Sequence, residues 1–148
     1  MSLDPKRELL GHMVATVVFR GRVAVESAPP EFAHFRINES TRTPAEILAH
    51  IGDLLAGTHL LLRGEFVTLA SEPLEWADEI ARFFTAAEQL DAFLASEAPL
   101  AYPVEKSVQG PIGDALTHVG QIVMLRRVFG APVPSVPYFM AEIDLPIY

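Results

Sequence analysis

A carboxylate and an imidazole lie four residues apart in an otherwise apolar segment, residues 113–121. Residues at this spacing on a helix lie one above the other on the same face. Asp114 and His118 can therefore contact one metal ion, and Gln121 extends the same stripe. His50, in another helical segment, is available as a third ligand. The pattern suggests a mononuclear metal site, with Gln121 as a hydrogen-bonding neighbour of a ligand.

Two interpretations of Asp114 remain open from this spacing alone. An ionised carboxylate on a buried, apolar helix is costly unless a cation or a hydrogen bond compensates it. Arg126 and Arg127 lie too far along the helix to be natural local partners, so a metal ion is one solution. A hydrogen bond between Asp114 and His118 without metal is the other. A single core-facing histidine such as His50 is, by itself, more often structural.

The composition indicates one folded domain, residues 1–148. The chain is 50% hydrophobic and 20% charged, which is typical of a globular protein with a sizeable core and argues against disorder. It contains no cysteine. A disulfide framework, a thiolate metal site and a cysteine nucleophile are therefore excluded.

The charge and the termini bear on partners and location. A net charge of −8 argues against nucleic acid as a partner, because phosphate binding needs clustered Lys and Arg. No apolar run approaches the ~20 residues of a membrane span. Residues 1–8 lack the apolar stretch of a signal peptide. We expect a soluble cytoplasmic protein that binds neither nucleic acid nor membranes.

Hydrophobic periodicity predicts four helices, near residues 5–26, 43–63, 72–96 and 108–129. The clearest start is at Thr43, where an N-cap threonine, a proline and the capping-box residue Glu46 follow one another. Gly64 and Gly130 are the predicted terminators of the second and fourth helices. The fourth helix is apolar nearly all round in its middle, which is typical of a central, buried helix. The predicted fold is an all-α, antiparallel four-helix bundle.

Residues 131–148 contain four prolines, which favour an extended tail. We expect this tail to pack Tyr138, Phe139 and Ile143 against the bundle. Arg126 and Arg127 precede it. Surface salt bridges are the expected role of both arginines, although one could face the tail or a subunit interface, and either could bind an anionic substrate.

Two segments resemble the DinB-like (DinB/YfiT-like) family of metal-binding four-helix bundles. The first, Ile112–Pro134, contains His118-Val119-Gly120-Gln121, Leu125-Arg126-Arg127, Gly130 and Pro132-Val133-Pro134. The second, Thr43–Leu55, has a capped helix start with His50 two turns in, like the family's first metal-ligand helix. The order and spacing fit over essentially the whole chain, so the resemblance implies the family's bundle fold.

The resemblance also implies a ligand set. The commonest version of the family has three histidines, two of them four apart on the last helix. His50 and His118 match two of these positions, and Asp114 occupies the third, so the chain departs from the three-histidine pattern. Two imidazoles and one carboxylate suit a divalent ion such as Zn, Ni, Fe or Mn, with positions left for water or substrate.

For function, the resemblance implies a metal-dependent enzyme: a thiol-dependent transferase or isomerase, or a hydrolase. The thiol would have to be a small-molecule cosubstrate, since the chain has no cysteine. The metal would lower the pKa of a bound thiol or of bound water. The alternative is a non-catalytic helical bundle that acts as a binding or dimerisation module. The apolar composition and the resemblance both favour a homodimer.

Overall fold

The computed structural model of the chain describes residues 4–143. Over this range the structure is helical, without a β-strand, as the all-α prediction requires. Its α-helices are α1 (Pro5–Val25), α2 (Pro44–Leu62), α3 (Trp76–Ala95), the short α4 (Val104–Ser107) and α5 (Gly113–Phe129). A π-helical turn, Val108–Ile112, joins α4 to α5, and 3-10 turns span Pro30–His34 and Tyr138–Met140. The four long helices correspond to the four predicted segments.

The start of α2 is formed by the predicted capping box. The Thr43 hydroxyl accepts the backbone N–H of Glu46 at 3.2 Å, and the Glu46 carboxylate accepts the backbone N–H of Thr43 at 2.7 Å. Gly64 and Gly130 follow the ends of α2 and α5 with φ of 85° and 95°. These left-handed values favour glycine, so both predicted terminators are confirmed.

The third helix begins later than its sequence pattern predicts, at Trp76 rather than near residue 72. A tertiary contact explains the difference. The backbone N–H and the hydroxyl of Ser71 both donate to the carboxylate of Asp53 on α2, each at 2.7 Å. Residues 65–75 therefore follow α2 as a non-helical connection, and α3 starts only after it.

The last helix is not continuous from residue 108. The π-helical turn interrupts it, and Gly110 has non-helical dihedral angles, with φ −103° and ψ −106°. Pro111, the next residue, lacks the N–H that an α-helix would use there. The interruption makes Gly113 the first residue of α5, so Asp114 lies in the first turn of that helix.

Both α1 and α2 pack against α3 and against α5. Each long helix contributes fully buried side chains to one core, for example Leu10, Ile51, Phe83 and Ile122. Gly21 of α1 faces α3, and a Cβ atom there would lie 2.6 Å from the ring of Phe83. Any side chain at this crossing would therefore force that ring to move.

A buried arginine connects α5 to the end of α1. Arg126 is only 3% exposed, so the prediction that it forms a surface salt bridge is wrong. Its guanidinium donates to the carbonyl oxygens of Ala24, Glu26 and Ala131, at 2.9, 3.2 and 2.6 Å. The last carbonyls of a helix have no intrahelical partner, and the guanidinium fork supplies several donors to them at once. At the end of α3, the guanidinium of Arg7 likewise donates to the carbonyl oxygens of Phe93, Leu94 and Ala98.

The tail meets the bundle at one of its three predicted anchors. The ring of Tyr138 lies edge-on to Phe19, with centroids 6.1 Å apart, and against the guanidinium of Arg20. Phe139 is 98% exposed, so its predicted packing is wrong. Ile143 is partly exposed, and residues 144–148 of the predicted tail lie outside the described range.

Helix α2 is, among the described residues, the one helix long and apolar enough to cross a membrane by length and composition. Half of that stretch is buried inside the protein, and the core helix of a soluble protein passes the same test. Its apolar residues, including Leu48, Ile51 and Leu55, belong to the hydrophobic core. The hydropathy of α2 is thus accounted for by its position among the other helices.

Candidate metal centre

His50, Asp114 and His118 converge in the structure, and their ligand atoms all lie within 4.8 Å of one another. The Nε2 atom of His50 is 3.6 Å from one Asp114 oxygen, and the Nε2 atom of His118 is 3.3 Å from the other. Two ligands about 2.1 Å from one tetrahedral ion lie about 3.4 Å apart. Both spacings are near this value, each to a different oxygen of Asp114, and the three ligand atoms lie close enough together that the group could hold a metal ion.

Local structure places each of the three side chains. His50 lies two turns into α2, whose start is set by the capping box, and its side chain is 33% exposed. Asp114 lies in the first turn of α5, directly after the π-helical turn. His118 follows one turn later on the same face, and its side chain is 13% exposed. The two imidazole rings meet edge to face, with centroids 4.7 Å apart.

Asp114 is less buried than its apolar surroundings in the sequence suggest. Its side chain is 48% exposed, and α5 also exposes Thr117, Gln121 and Met124. The prediction of a buried helix is therefore wrong for this face, which is exposed along most of α5. Desolvation of Asp114 no longer argues for a cation. The argument rests instead on the convergence of three ligand atoms.

The hydrogen bond of His118 determines which of its nitrogens is available. Its Nδ1 atom lies 2.8 Å from Oε1 of Gln121, and an amide oxygen can only accept. With Oε1 as the acceptor, Nδ1 carries the hydrogen, and the neutral ring then has its lone pair on Nε2. That lone pair faces an Asp114 oxygen at 3.3 Å. Two acceptors this close repel each other unless a proton or a cation lies between them.

The pKa of His50 is lowered from its ordinary value. Partial burial is the main cause, followed by the nearby His118 and by the positive charge of Arg42, while Asp114 opposes the shift. A lowered pKa favours the neutral imidazole at pH 7, which is the form that binds metal ions. His50 is thus suited to act as a ligand.

Two grooves open beside this group. The first, of about 730 Å³, contains His50 and Asp114, and we call it the His50 groove. Its apolar walls include Leu54, Leu61, Val67, Leu69 and Pro111. The second, of about 460 Å³, contains His118 and Gln121, and we call it the His118 groove. Its other walls include Ile37, Arg42, Ile47, Met124 and Leu125. Small molecules could therefore approach the group from either side.

The remaining histidines and Asp53 lie away from the group. His12 and His34 are exposed on α1 and on a 3-10 turn, and the ring of His59 packs against Phe93, with centroids 5.2 Å apart. Asp53 is engaged by Ser71. Sequence reasoning missed Arg42, although its position directly before the N-cap of α2 placed a cation two turns from His50.

Comparison with protein-family models, with curated proteins and with solved structures gives no match. The resemblance to the DinB-like family therefore rests on the residues quoted for it above.

Proposed function

We propose that this protein is a metal-dependent enzyme of the DinB-like type, in which His50, Asp114 and His118 bind one divalent ion. The observation that supports this most strongly is the pair of ligand spacings, 3.6 and 3.3 Å, on the two oxygens of one carboxylate. An antiparallel four-helix bundle is the fold we propose with it, since α1 and α2 each pack against α3 and α5. The donor set suits Zn, Ni, Fe or Mn.

Three protein ligands leave at least one coordination position for a substrate or water. A divalent ion there would supply Lewis-acid chemistry, which lowers the pKa of a coordinated thiol or water molecule. Since the chain has no cysteine, a thiol would have to come from a cosubstrate. The two grooves beside the group give a thiol and a second substrate separate routes of approach. We therefore propose a thiol-dependent transferase or isomerase, or a hydrolase.

The chain's own residues have distinct parts in this proposal. Gln121 holds His118 in the tautomer that presents Nε2 to the site. Asp114, which is half exposed, contributes the single negative charge of the ligand set. The lowered pKa of His50 keeps its ring neutral. Each of these effects prepares the site before any ligand enters.

One observation favours the second candidate, a non-catalytic binding or dimerisation module. The apolar side chains of Met124 and Val128 are exposed one turn apart on α5. A partner surface would cover them, and the histidine–aspartate group would then be a polar cluster without catalysis. For either candidate we propose a cytoplasmic homodimer, with no nucleic-acid or membrane partner. The excess of acidic residues supports the nucleic-acid part of this proposal.

The test is to load the protein with Co²⁺ and add a low-molecular-weight thiol. Cobalt reports thiolate coordination through a sulfur-to-metal charge-transfer band. We expect the band in wild type and in His59→Ala, but not in His118→Ala. Cobalt uptake without any thiol band would contradict thiol-dependent chemistry and leave the hydrolase. No cobalt uptake by wild type would contradict the enzyme proposal and favour the non-catalytic module.

A further inference from the structure

Arg42 is an exposed cation at the edge of the candidate metal centre. It directly precedes the N-cap of α2 and lines the His118 groove. Its charge acts on His50, so the guanidinium lies within electrostatic range of the ligand group. Within residues 4–143, none of the ion pairs involves Arg42. Its donors are therefore available to a ligand.

The His118 groove has the character of a site for an organic anion. Most of its wall is apolar, from Ile37, Ile47, Met124 and Leu125. Arg42 is the one lining residue with a permanent charge, and the hydroxyls of Ser40 and Thr41 lie beside it. A guanidinium binds a carboxylate through two parallel hydrogen bonds, and the apolar wall would bury a hydrocarbon body.

The neighbouring surfaces are less suited to an anion. The charged residues of the His50 groove are Asp53 and Asp114, both acidic. A third groove, of about 640 Å³, has four carboxylates along its walls, from Glu39, Glu46, Asp53 and Glu72. Arg36 and Arg42 also line this third groove; Arg36 is already paired with Glu46, and Arg42 lines both this groove and the His118 groove. Negative charge on these sides directs an anion toward the His118 groove.

We propose that Arg42 binds the carboxylate of a small organic acid whose apolar body lies in the His118 groove, next to the metal ion. This inference rests on the proposed function, because the metal would bind the donor group at the other end of the same molecule. A divalent ion and one aspartate leave a net charge of plus one at the centre, which adds to the attraction of Arg42. Arg42 thereby sets the substrate class to carboxylates rather than neutral molecules.

The experiment measures binding to the Co²⁺-loaded protein by isothermal titration calorimetry. The probes are 3-mercaptopropionate and 6-mercaptohexanoate, each beside its uncharged primary amide, so that every probe carries a thiol for the metal ion. We expect wild type to bind at least one acid about tenfold more tightly than its amide, as one charge-assisted contact allows. Arg42→Gln should abolish that preference. Arg127→Gln should keep it, because Arg127 is exposed on α5 but does not line the groove.

The outcomes distinguish a failure of the Arg42 inference from a failure of the proposed metal site. Cobalt content is measured on each sample before titration. If the cobalt-loaded wild type binds neither acid, binds acids and amides equally, or keeps its preference in Arg42→Gln, the role of Arg42 is overturned and the metal site stands. If wild type takes up no cobalt, the metal site itself fails and this inference fails with it.

Discussion

The Nδ1 atom of His118 lies 2.8 Å from Oε1 of Gln121, one turn further along α5. This contact leaves Nε2 of the same ring facing Asp114 at 3.3 Å. The sequence stripe of Asp114, His118 and Gln121 therefore becomes a chain of contacts along one helix face. In the proposed metal site, Gln121 would act through His118, by holding the ring in one tautomer.

Replacing Gln121 should weaken metal binding without abolishing it. Loss of a hydrogen bond to a ligating histidine typically costs about 10–100-fold in metal affinity. We therefore expect Gln121→Ala to bind Zn²⁺ at least about tenfold more weakly than wild type in a competition titration with a chromophoric chelator. The matched control is Gln89→Ala, an exposed glutamine on α3. Equal affinity in wild type and Gln121→Ala would show that the contact has no role in metal binding.

The capping box of α2 makes stability depend on pH. The pKa of Glu46 is lowered, mainly by its hydrogen bond from the Thr43 backbone and also by Arg36. A carboxyl group with a lowered folded-state pKa stabilises the protein above its unfolded pKa, and this contribution is lost as pH falls through the folded value. In metal-free protein, Glu46→Gln should thus lower the free energy of unfolding at pH 7. The difference should shrink as pH falls below about 4.3.

Urea unfolding at a series of pH values measures this difference. Glu88→Gln, at an exposed position on α3, is the control and should remain close to wild type throughout. If the free energies of unfolding of Glu46→Gln and wild type differ by the same amount at every pH down to the most acidic one measured, the assigned role of the carboxylate is contradicted.

A side chain at Gly21 should destabilise the crossing of α1 and α3. A Cβ atom there would lie 2.6 Å from Cζ of the fully buried Phe83, so the ring would have to move within a packed core. We expect Gly21→Ala to destabilise the protein by about 1–3 kcal/mol. Gly11→Ala, on the same helix with no atom within 4 Å of the added Cβ, should instead be stabilising by about 0.5–1 kcal/mol. Thermal unfolding measures both stability changes. If Gly21→Ala and Gly11→Ala change stability in the same direction, the steric explanation is ruled out.

Arg126 should contribute far more to stability than its neighbour Arg127. Replacing Arg126 by Met removes the donors to the carbonyls of Ala24, Glu26 and Ala131 and leaves part of that polar surface buried. We expect a loss of about 2–4 kcal/mol in the free energy of unfolding. Arg127 is exposed, so Arg127→Met should change the free energy of unfolding by no more than about 0.5 kcal/mol. Similar losses in both variants would contradict the bridging role of Arg126.

Features that depend on neighbouring residues in the chain were predictable. The capping box needs only Thr43 and Glu46, and the stripe on α5 follows from helical spacing, so both appear in the structure at the expected residues. The delayed start of α3 depends on Asp53 reaching Ser71, which is 18 residues away. Such long-range contacts leave no periodic signal in the sequence.

The same distinction applies to the candidate site. His50 could be placed on the inward side of α2 from periodicity, but its 3.6 Å distance to Asp114 depends on how α2 packs against α5. The exposure of Asp114 depends on which elements cover the first turn of α5, whereas the apolar pattern around it predicted a central, buried helix. The role of Arg42 was missed because the groove that it lines also needs Ile37 and Met124, from separate segments.

Metal stoichiometry in three proteins tests the central claim most directly. Untagged wild type, His118→Ala and His59→Ala are loaded with excess Zn²⁺, desalted and measured by elemental analysis. We predict about one ion per chain in wild type and in His59→Ala, whose ring packs against Phe93 instead. We predict loss of most bound metal in His118→Ala, because one imidazole of the converging group is gone. Equal retention in all three proteins, or equal loss in the two variants, would contradict a metal centre at His50, Asp114 and His118.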